Sequence, residues 1–177
     1  MKEINKLKII NQLKSVYRAN SVENRKESSA EHSWSCLLLA DFFMPKSINK
    51  LRVHELLMYH DLVEIETGDV PLLSEETKED EFEAAKKLKS TLPKKIADKF
   101  WGCFIEFEEK KTLEAKFAKA IDSLDPVIHE LDQKEDWKGF KAEFIIEKKL
   151  KNFEDFPELK KTFLTIIKHM QDEGYIK

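Results

Sequence analysis

Glycine and proline are scarce in this chain, with four and five occurrences among 177 residues. Both interrupt helices, so their rarity leaves most of the chain free to run as helix with few sharp reversals. Apolar residues recur at spacings of three and four, and the expectation is an all-α fold, a compact helical bundle forming one domain over residues 1–177. The stripe Ile4, Leu7, Ile10, Leu13 and Tyr17 predicts a first helix over 2–17, and residues 18–29 read as a polar loop. Ser28 and Glu31 have the spacing of a capping box, which starts a second helix beside His32. Its body, Trp34 to Phe43, ends before Pro45. A third helix is predicted from about 48 to 66, closed by Gly68 in a left-handed turn. Residues 75–90 read as an exposed helix with a thin stripe of Phe82, Ala85 and Leu88. Pro93 then opens a helix carrying Ile96, Phe100, Trp101, Phe104 and Phe107. Another runs from Thr112 to about Leu131, and two more cover about 139–151 and 157–172. Trp34, Trp101 and the phenylalanine stripes are assigned to the core. No internal repeat or low-complexity linker divides the chain.

Charge narrows the functional classes. Charged residues make up 37% of the chain, yet the net charge is only −3. That balance gives no general electrostatic reason for a nucleic-acid polymer or an anionic membrane as partner. Cys36 and Cys103 lie in apolar runs without a CxxC pairing and read as buried free thiols, which suits a reducing compartment. The lysine-rich N-terminus lacks the apolar run and small-residue cleavage site of a signal peptide, and no stretch approaches the ~20 apolar residues of a membrane span. A cytoplasmic protein is expected.

Against this background, acid and imidazole side chains stand out inside apolar, helix-patterned segments, where an unpartnered polar group is costly. They are His32 in Ala30-Glu31-His32-Ser33-Trp34, the pair His60-Asp61, and Asp122 in Ala120-Ile121-Asp122-Ser123-Leu124. Two imidazoles and two carboxylates suit a hard or borderline divalent ion with open positions for water and substrate. Glu64 falls three residues after Asp61 and four after His60, on the same side of the helix. Only three arginines occur, and two of them, Arg18 and Arg25, precede His32 closely. A guanidinium fork grips phosphate better than an ammonium, so Arg18 is the main candidate to orient a phosphate and Arg25 its support. Lys119, one turn before Asp122, is a further candidate to reach an anion. A histidine-aspartate dipeptide alone is weak, since core histidines commonly hydrogen-bond a neighbour; the set of positions carries the weight.

These segments resemble the HD-domain metal-dependent phosphohydrolase superfamily, and within it the branch of the bacterial 5'-deoxynucleotidases. The matching residues are Ser29-Ala30-Glu31-His32-Ser33, the run Met58-Tyr59-His60-Asp61-Leu62-Val63-Glu64-Ile65-Glu66-Thr67-Gly68-Asp69-Val70-Pro71, and Lys119-Ala120-Ile121-Asp122-Ser123-Leu124. The resemblance implies an HD-domain helical bundle in which His32, His60, Asp61 and Asp122 ligate one divalent metal ion, with Mn, Co, Mg, Fe, Ni and Zn all admissible. It makes Glu64 the carboxylate that handles a proton or orients water, with Asp61 beside it in the catalytic centre. Asp69 and the following Val70, Pro71 and Leu72 become the segment that contacts the substrate sugar. Metal-activated water would then remove phosphate from a nucleoside, or deoxynucleoside, 5'-monophosphate. The family has an aromatic residue after its arginine, whereas Tyr17 precedes Arg18 here, which leaves this loop's register open by one position.

The same superfamily likeness admits cleavage of guanosine tetraphosphate or of a dNTP, and a metal- or nucleotide-binding regulatory module without turnover is the rival from another class. The chain lacks the extra histidine and Gly-Tyr-Pro pattern of the cyclic-dinucleotide branch. His129 shares a helix face with Asp122 across Pro126 and could line the site wall, while His54 and His169 read as structural or exposed. The aromatic C-terminal helices could supply a homodimer face, although core burial explains them equally well.

Overall fold

The computed structural model describes residues 1–70 and 78–177. It is an all-α fold with one small two-stranded hairpin. Helix α1 (Lys2–Leu7) tightens into a 3-10 stretch over Lys8–Ser15. Two strands follow, β1 (Tyr17–Val22) and β2 (Arg25–Ser28), then α2 (Ser29–Phe43), α3 (Lys50–Tyr59) and α4 (Glu64–Thr67). The remaining helices are α5 (Lys78–Thr91), α6 (Lys94–Glu109), α7 (Leu113–His129), α8 (Ala142–Lys149) and α9 (Pro157–Asp172). No helix among the described residues is long and apolar enough to cross a membrane.

The hairpin replaces the polar loop expected before His32. β1 and β2 pair antiparallel with Tyr17 opposite Ser28 and Val22 opposite Arg25. Its inward positions on β1 are Arg18 and Asn20, half-buried, while Tyr17 and Ala19 point to solvent. A strand whose buried face is polar lacks the hydrophobic contrast on which a period-two reading depends. The first helix is also shorter than its stripe suggests. Ile4, Leu7 and Tyr17 are exposed, and Leu13 alone of that stripe is fully buried.

Two apolar clusters form the core. The larger joins α2, α3, α7, α8 and α9 around Leu56, Phe117, Leu124 and Phe163; the smaller packs Leu62, Val63, Leu88 and Phe100 between α5 and α6. Tyr59 touches both clusters, so the segment after it crosses from one to the other. There α3 gives way to a 3-10 turn over His60–Val63 before α4 begins. With three residues per turn, Asp61 and Glu64 come to lie one above the other. α2, α3 and α7 pack mutually, which brings three separated sequence segments to one place. Trp34 is not in the core: it is 63% exposed on α2, in line with exposed Leu38 and Phe42. Spacing alone cannot tell which apolar stripe of a two-sided helix faces inward. Trp101, half-buried, does pack against the smaller cluster.

Candidate metal centre and its cavity

Local structure aims each candidate ligand. At the start of α2 the Ser28 hydroxyl accepts from the Glu31 N–H while the Glu31 carboxylate accepts from the Ser28 N–H, the reciprocal cap that satisfies two helix-end donors. His32 lies one residue further on and is fully buried. Its Nδ1–H donates to Asp125 Oδ2 at 2.7 Å, and its Nε2 lies 3.1 Å from Asp122 Oδ1 and 3.8 Å from Asp61 Oδ2. Asp125 is held in turn by the Ser35 hydroxyl at 2.6 Å. His60 donates Nδ1–H to the Leu57 carbonyl at 2.8 Å, which leaves its Nε2 as a bare lone pair. That Nε2 is 3.1 Å from Asp61 Oδ1 and 3.7 Å from Asp122 Oδ1.

This arrangement tests whether a cation fits. His60 Nε2 and Asp61 Oδ2 are buried without a hydrogen-bond partner. A lone pair turned toward two carboxylates is repulsive, and burying unsatisfied acceptors costs about 1–3 kcal/mol each. A divalent ion among His32 Nε2, His60 Nε2, Asp61 and Asp122 would satisfy all of them, and the donor set of two imidazoles and two carboxylates suits Mn, Fe, Co, Ni or Zn, with Mg drawn to the oxygens. The hydrogen bonds at both Nδ1 atoms are the outer contacts that fix ligand tautomers in metal sites. Two other groupings offer close donor atoms: His32 with Cys36 and His60, and Glu27 with His32 and Asp125. Neither is as well suited. The Cys36 thiol is nearly equidistant from both His32 nitrogens, facing neither lone pair, and burial pushes it up to about 12. The second grouping needs His32 Nδ1, which Asp125 already occupies.

The cluster opens into a cavity of about 670 Å³ lined by Arg18, His60, Asp61, Glu64, Asp69, Lys119 and Asp122 among others, within the usual range for small-molecule sites. Arg18 reaches it from β1. Its Nε is 3.3 Å from Glu27 Oε2, and its Nη1 is 3.5 Å from Asp61 Oδ2 and 3.4 Å from Asp69 Oδ1. Burial disfavours the guanidinium charge, but Asp61, Asp69 and Glu64 outweigh that and hold it firmly protonated. Burial and then the Asp61 charge push Glu64 well above the usual carboxylate range. Burial works the same way on Asp122, yet the Lys119 ammonium at 2.8 Å and the two imidazoles hold it well below.

Asp69 accepts from the Ala19 N–H at 3.3 Å. Gly68 before it takes φ 75 and ψ 173, a positive φ as expected but an extended ψ, a region open essentially to glycine. Val70 lines the cavity; Pro71 and Leu72 lie outside the described residues. Arg25 is not brought to the cluster. It lies 54% exposed on the outer side of the hairpin, bound through both terminal nitrogens to Glu31 at 2.9 and 2.6 Å. The charge that caps α2 has claimed it. His129 donates to the Ser21 carbonyl at 2.8 Å, bracing the hairpin, and His54 pairs with Asp41 at the surface.

Asp125, Lys149 and Glu27, which holds Arg18, were not singled out from the sequence. Asp125 is three residues after Asp122 in an apolar run, so the helical spacing was a usable signal. Lys149 lines the cavity from α8, and nothing in a lysine-rich segment distinguished it.

An HD-domain family model matches residues 10–160. The 5'-deoxynucleotidase HDDC2 of Xenopus laevis is 27% identical over 136 residues, covering 73% of this chain and 68% of that protein. Human 5'-deoxynucleotidase HDDC2 is 29% identical over 129 residues, covering 69% of this chain and 63% of that protein; the match thus spans less than two thirds of the human relative. A predicted metal-dependent phosphohydrolase from Magnetospirillum magnetotacticum MS-1 superposes with a TM-score of 0.88 at 28% identity, over 99% of this chain and 94% of the other. With its family model spanning most of the sequence, this chain belongs to the HD-domain family of metal-dependent phosphohydrolases.

Proposed function

We propose that this protein removes phosphate from nucleoside 5'-monophosphates, deoxyribonucleotides in preference, with one divalent ion held by His32, His60, Asp61 and Asp122. The observation that carries the reading is that His60 Nε2 and Asp61 Oδ2 are buried without a hydrogen-bond partner beside Asp122, at the wall of a cavity sized for a small molecule. An ion bound there would supply Lewis-acid polarisation of the phosphoryl group and activation of water.

The chain's own residues account for the rest. Glu64, one turn after Asp61 at the cavity wall, is placed to orient water or to pass a proton to the departing 5'-oxygen of the nucleoside. Arg18, gripped by Glu27, Asp61 and Asp69, cannot swing away and presents a fixed positive charge toward the phosphate. Lys119 keeps Asp122 ionised and adds positive charge at the cavity wall. Asp69 has an acceptor-only carboxylate fit for a sugar hydroxyl. The deoxyribo preference draws on the relatives named 5'-deoxynucleotidase.

A phosphate-release screen over ribo- and deoxyribonucleoside mono-, di- and triphosphates, each with several divalent metals, tests the reading. Deoxyribonucleoside monophosphates should be the best substrates, and Asp61→Ala should lose both bound metal and turnover. Preferential hydrolysis of triphosphates or of guanosine tetraphosphate would overturn the substrate assignment, and metal binding without any turnover would favour a regulatory module.

A further inference from the structure

The cations around the cavity differ in what neutralises them. Arg18 faces Glu27, Asp61 and Asp69, and Lys119 is paired with Asp122 at 2.8 Å. Lys149, at the end of α8, is part-buried and also lines the cavity. Its ammonium donates one hydrogen bond, to the Ser123 carbonyl at 3.1 Å, and meets no carboxylate within salt-bridge distance among the described residues. Ser123 follows Asp122 directly, and Asn152 Nδ2 donates to the Ser123 hydroxyl at 2.8 Å, so both polar groups of Ser123 are tied to this wall. Lys148 and Lys151 flank it, exposed at the cavity edge.

An ammonium has three donors, and two of these remain unassigned here. Burial, assisted by the Lys119 and Arg18 charges, lowers Lys149 to about 8 against the pull of Asp122. A lysine is not kept in such surroundings for stability. It loses hydration, is repelled by two neighbouring cations, and gains no ion pair. An anion in the cavity would supply the missing ion pair and offset the other two penalties.

We infer that Lys149 is a substrate-binding residue whose ammonium takes the non-bridging oxygens of the substrate phosphate. This rests on the phosphomonoester reading above for the identity of the anion, though not for its existence. Arg18 shares its charge with three carboxylates while facing the phosphate, whereas Lys149 meets no carboxylate within salt-bridge distance among the described residues and has two donors to give. It is thus the phosphate anchor on the α7–α8 side of the cavity.

Inorganic phosphate titrated calorimetrically into the metal-loaded protein tests this without turnover. Lys149→Met, which keeps the apolar stem, should weaken phosphate roughly 10–100-fold, the cost of losing a charge-assisted hydrogen bond. Lys149→Arg should recover most of that affinity, with metal content equal to wild type in both variants and the unfolding midpoint of Lys149→Met no lower than wild type. Equal phosphate affinity in wild type and Lys149→Met, or no phosphate binding in wild type, overturns the inference. If Lys149→Met loses phosphate while wild type hydrolyses no nucleoside monophosphate, the anion site stands and the proposed reaction falls. If wild type hydrolyses monophosphates and Lys149→Met leaves both KM and phosphate affinity unchanged, the reaction stands and Lys149 has no part in it.

Discussion

Replacing Asp125 by asparagine separates orientation of His32 from the fold around it. In the native protein Asp125 Oδ2 accepts from His32 Nδ1–H at 2.7 Å, and Oδ1 accepts from the Ser35 hydroxyl at 2.6 Å. Asparagine has the same shape. Its carbonyl can take the imidazole proton, and its amide can donate to Ser35 Oγ, which already lies 2.9 Å from the His32 carbonyl and can donate there instead. No buried donor is orphaned, so the unfolding midpoint of the metal-free protein should move by no more than about 2–4 °C, the equivalent of ~1 kcal/mol at this length. What changes is the charge behind the ring. A carboxylate makes Nε2 a better ligand than an amide does, and loss of such an outer partner costs about 10–100-fold in metal affinity. Competition of Mn or Co between the protein and a calibrated chelator measures it directly. Asp125→Ala supplies the contrast, because it leaves His32 Nδ1–H buried and unsatisfied at about 1–3 kcal/mol and should lower the midpoint as well as the affinity. Unchanged metal affinity in Asp125→Asn would refute the view that His32 is a ligand steered through Asp125.

Glu64→Gln should retain the metal and lose most turnover, by about 100-fold or more if it carries the general-acid proton; full activity would remove it from proton transfer. Arg25→Ala should leave KM and kcat for any monophosphate unchanged, because Arg25 points outward and binds Glu31, and should barely move the unfolding midpoint. A tenfold rise in KM would return Arg25 to the substrate. The hydrogen bonds from Arg25 and the Ser28 backbone depress Glu31 to about 2. Its folded-state value therefore lies below its unfolded one, so its contribution is complete above about pH 4.5 and disappears as pH falls toward 2. Urea midpoints at pH 6 and pH 3 should drop further for wild type than for Glu31→Gln. The difference should be small and shrink in added salt, because the pair is solvent-exposed; identical drops would discard the assignment.

What could be read from the sequence follows from how local each signal is. The α2 cap is spelled by Ser28 and Glu31 within four residues, and it forms as read. The helical identity of the segments carrying His60 and Asp122 follows from propensity and spacing, both short-range properties. Pairing is different in kind. Arg25 and Arg18 look alike in the sequence, seven residues apart and both near His32, yet one pairs with the capping Glu31 at the surface and the other sits among three carboxylates from β2, the 3-10 turn after α3 and the Gly68 turn. That distinction depends on which way a strand faces, and the strand was hidden because its inner face is polar. The lysines raise the same difficulty more sharply. Lys148, Lys149 and Lys151 are indistinguishable in composition and setting, and one of them alone ends part-buried beside Ser123 without a carboxylate partner among the described residues. Ligands can be inferred from residue type, since few side chains bind a metal and fewer occur in apolar helices. The groups that hold the substrate come from the commonest surface residues, so their roles emerge only when their counter-charges are counted in three dimensions. Function is therefore most legible where burial makes a residue unusual, and least legible where the fold recruits an ordinary lysine by leaving it unpaired.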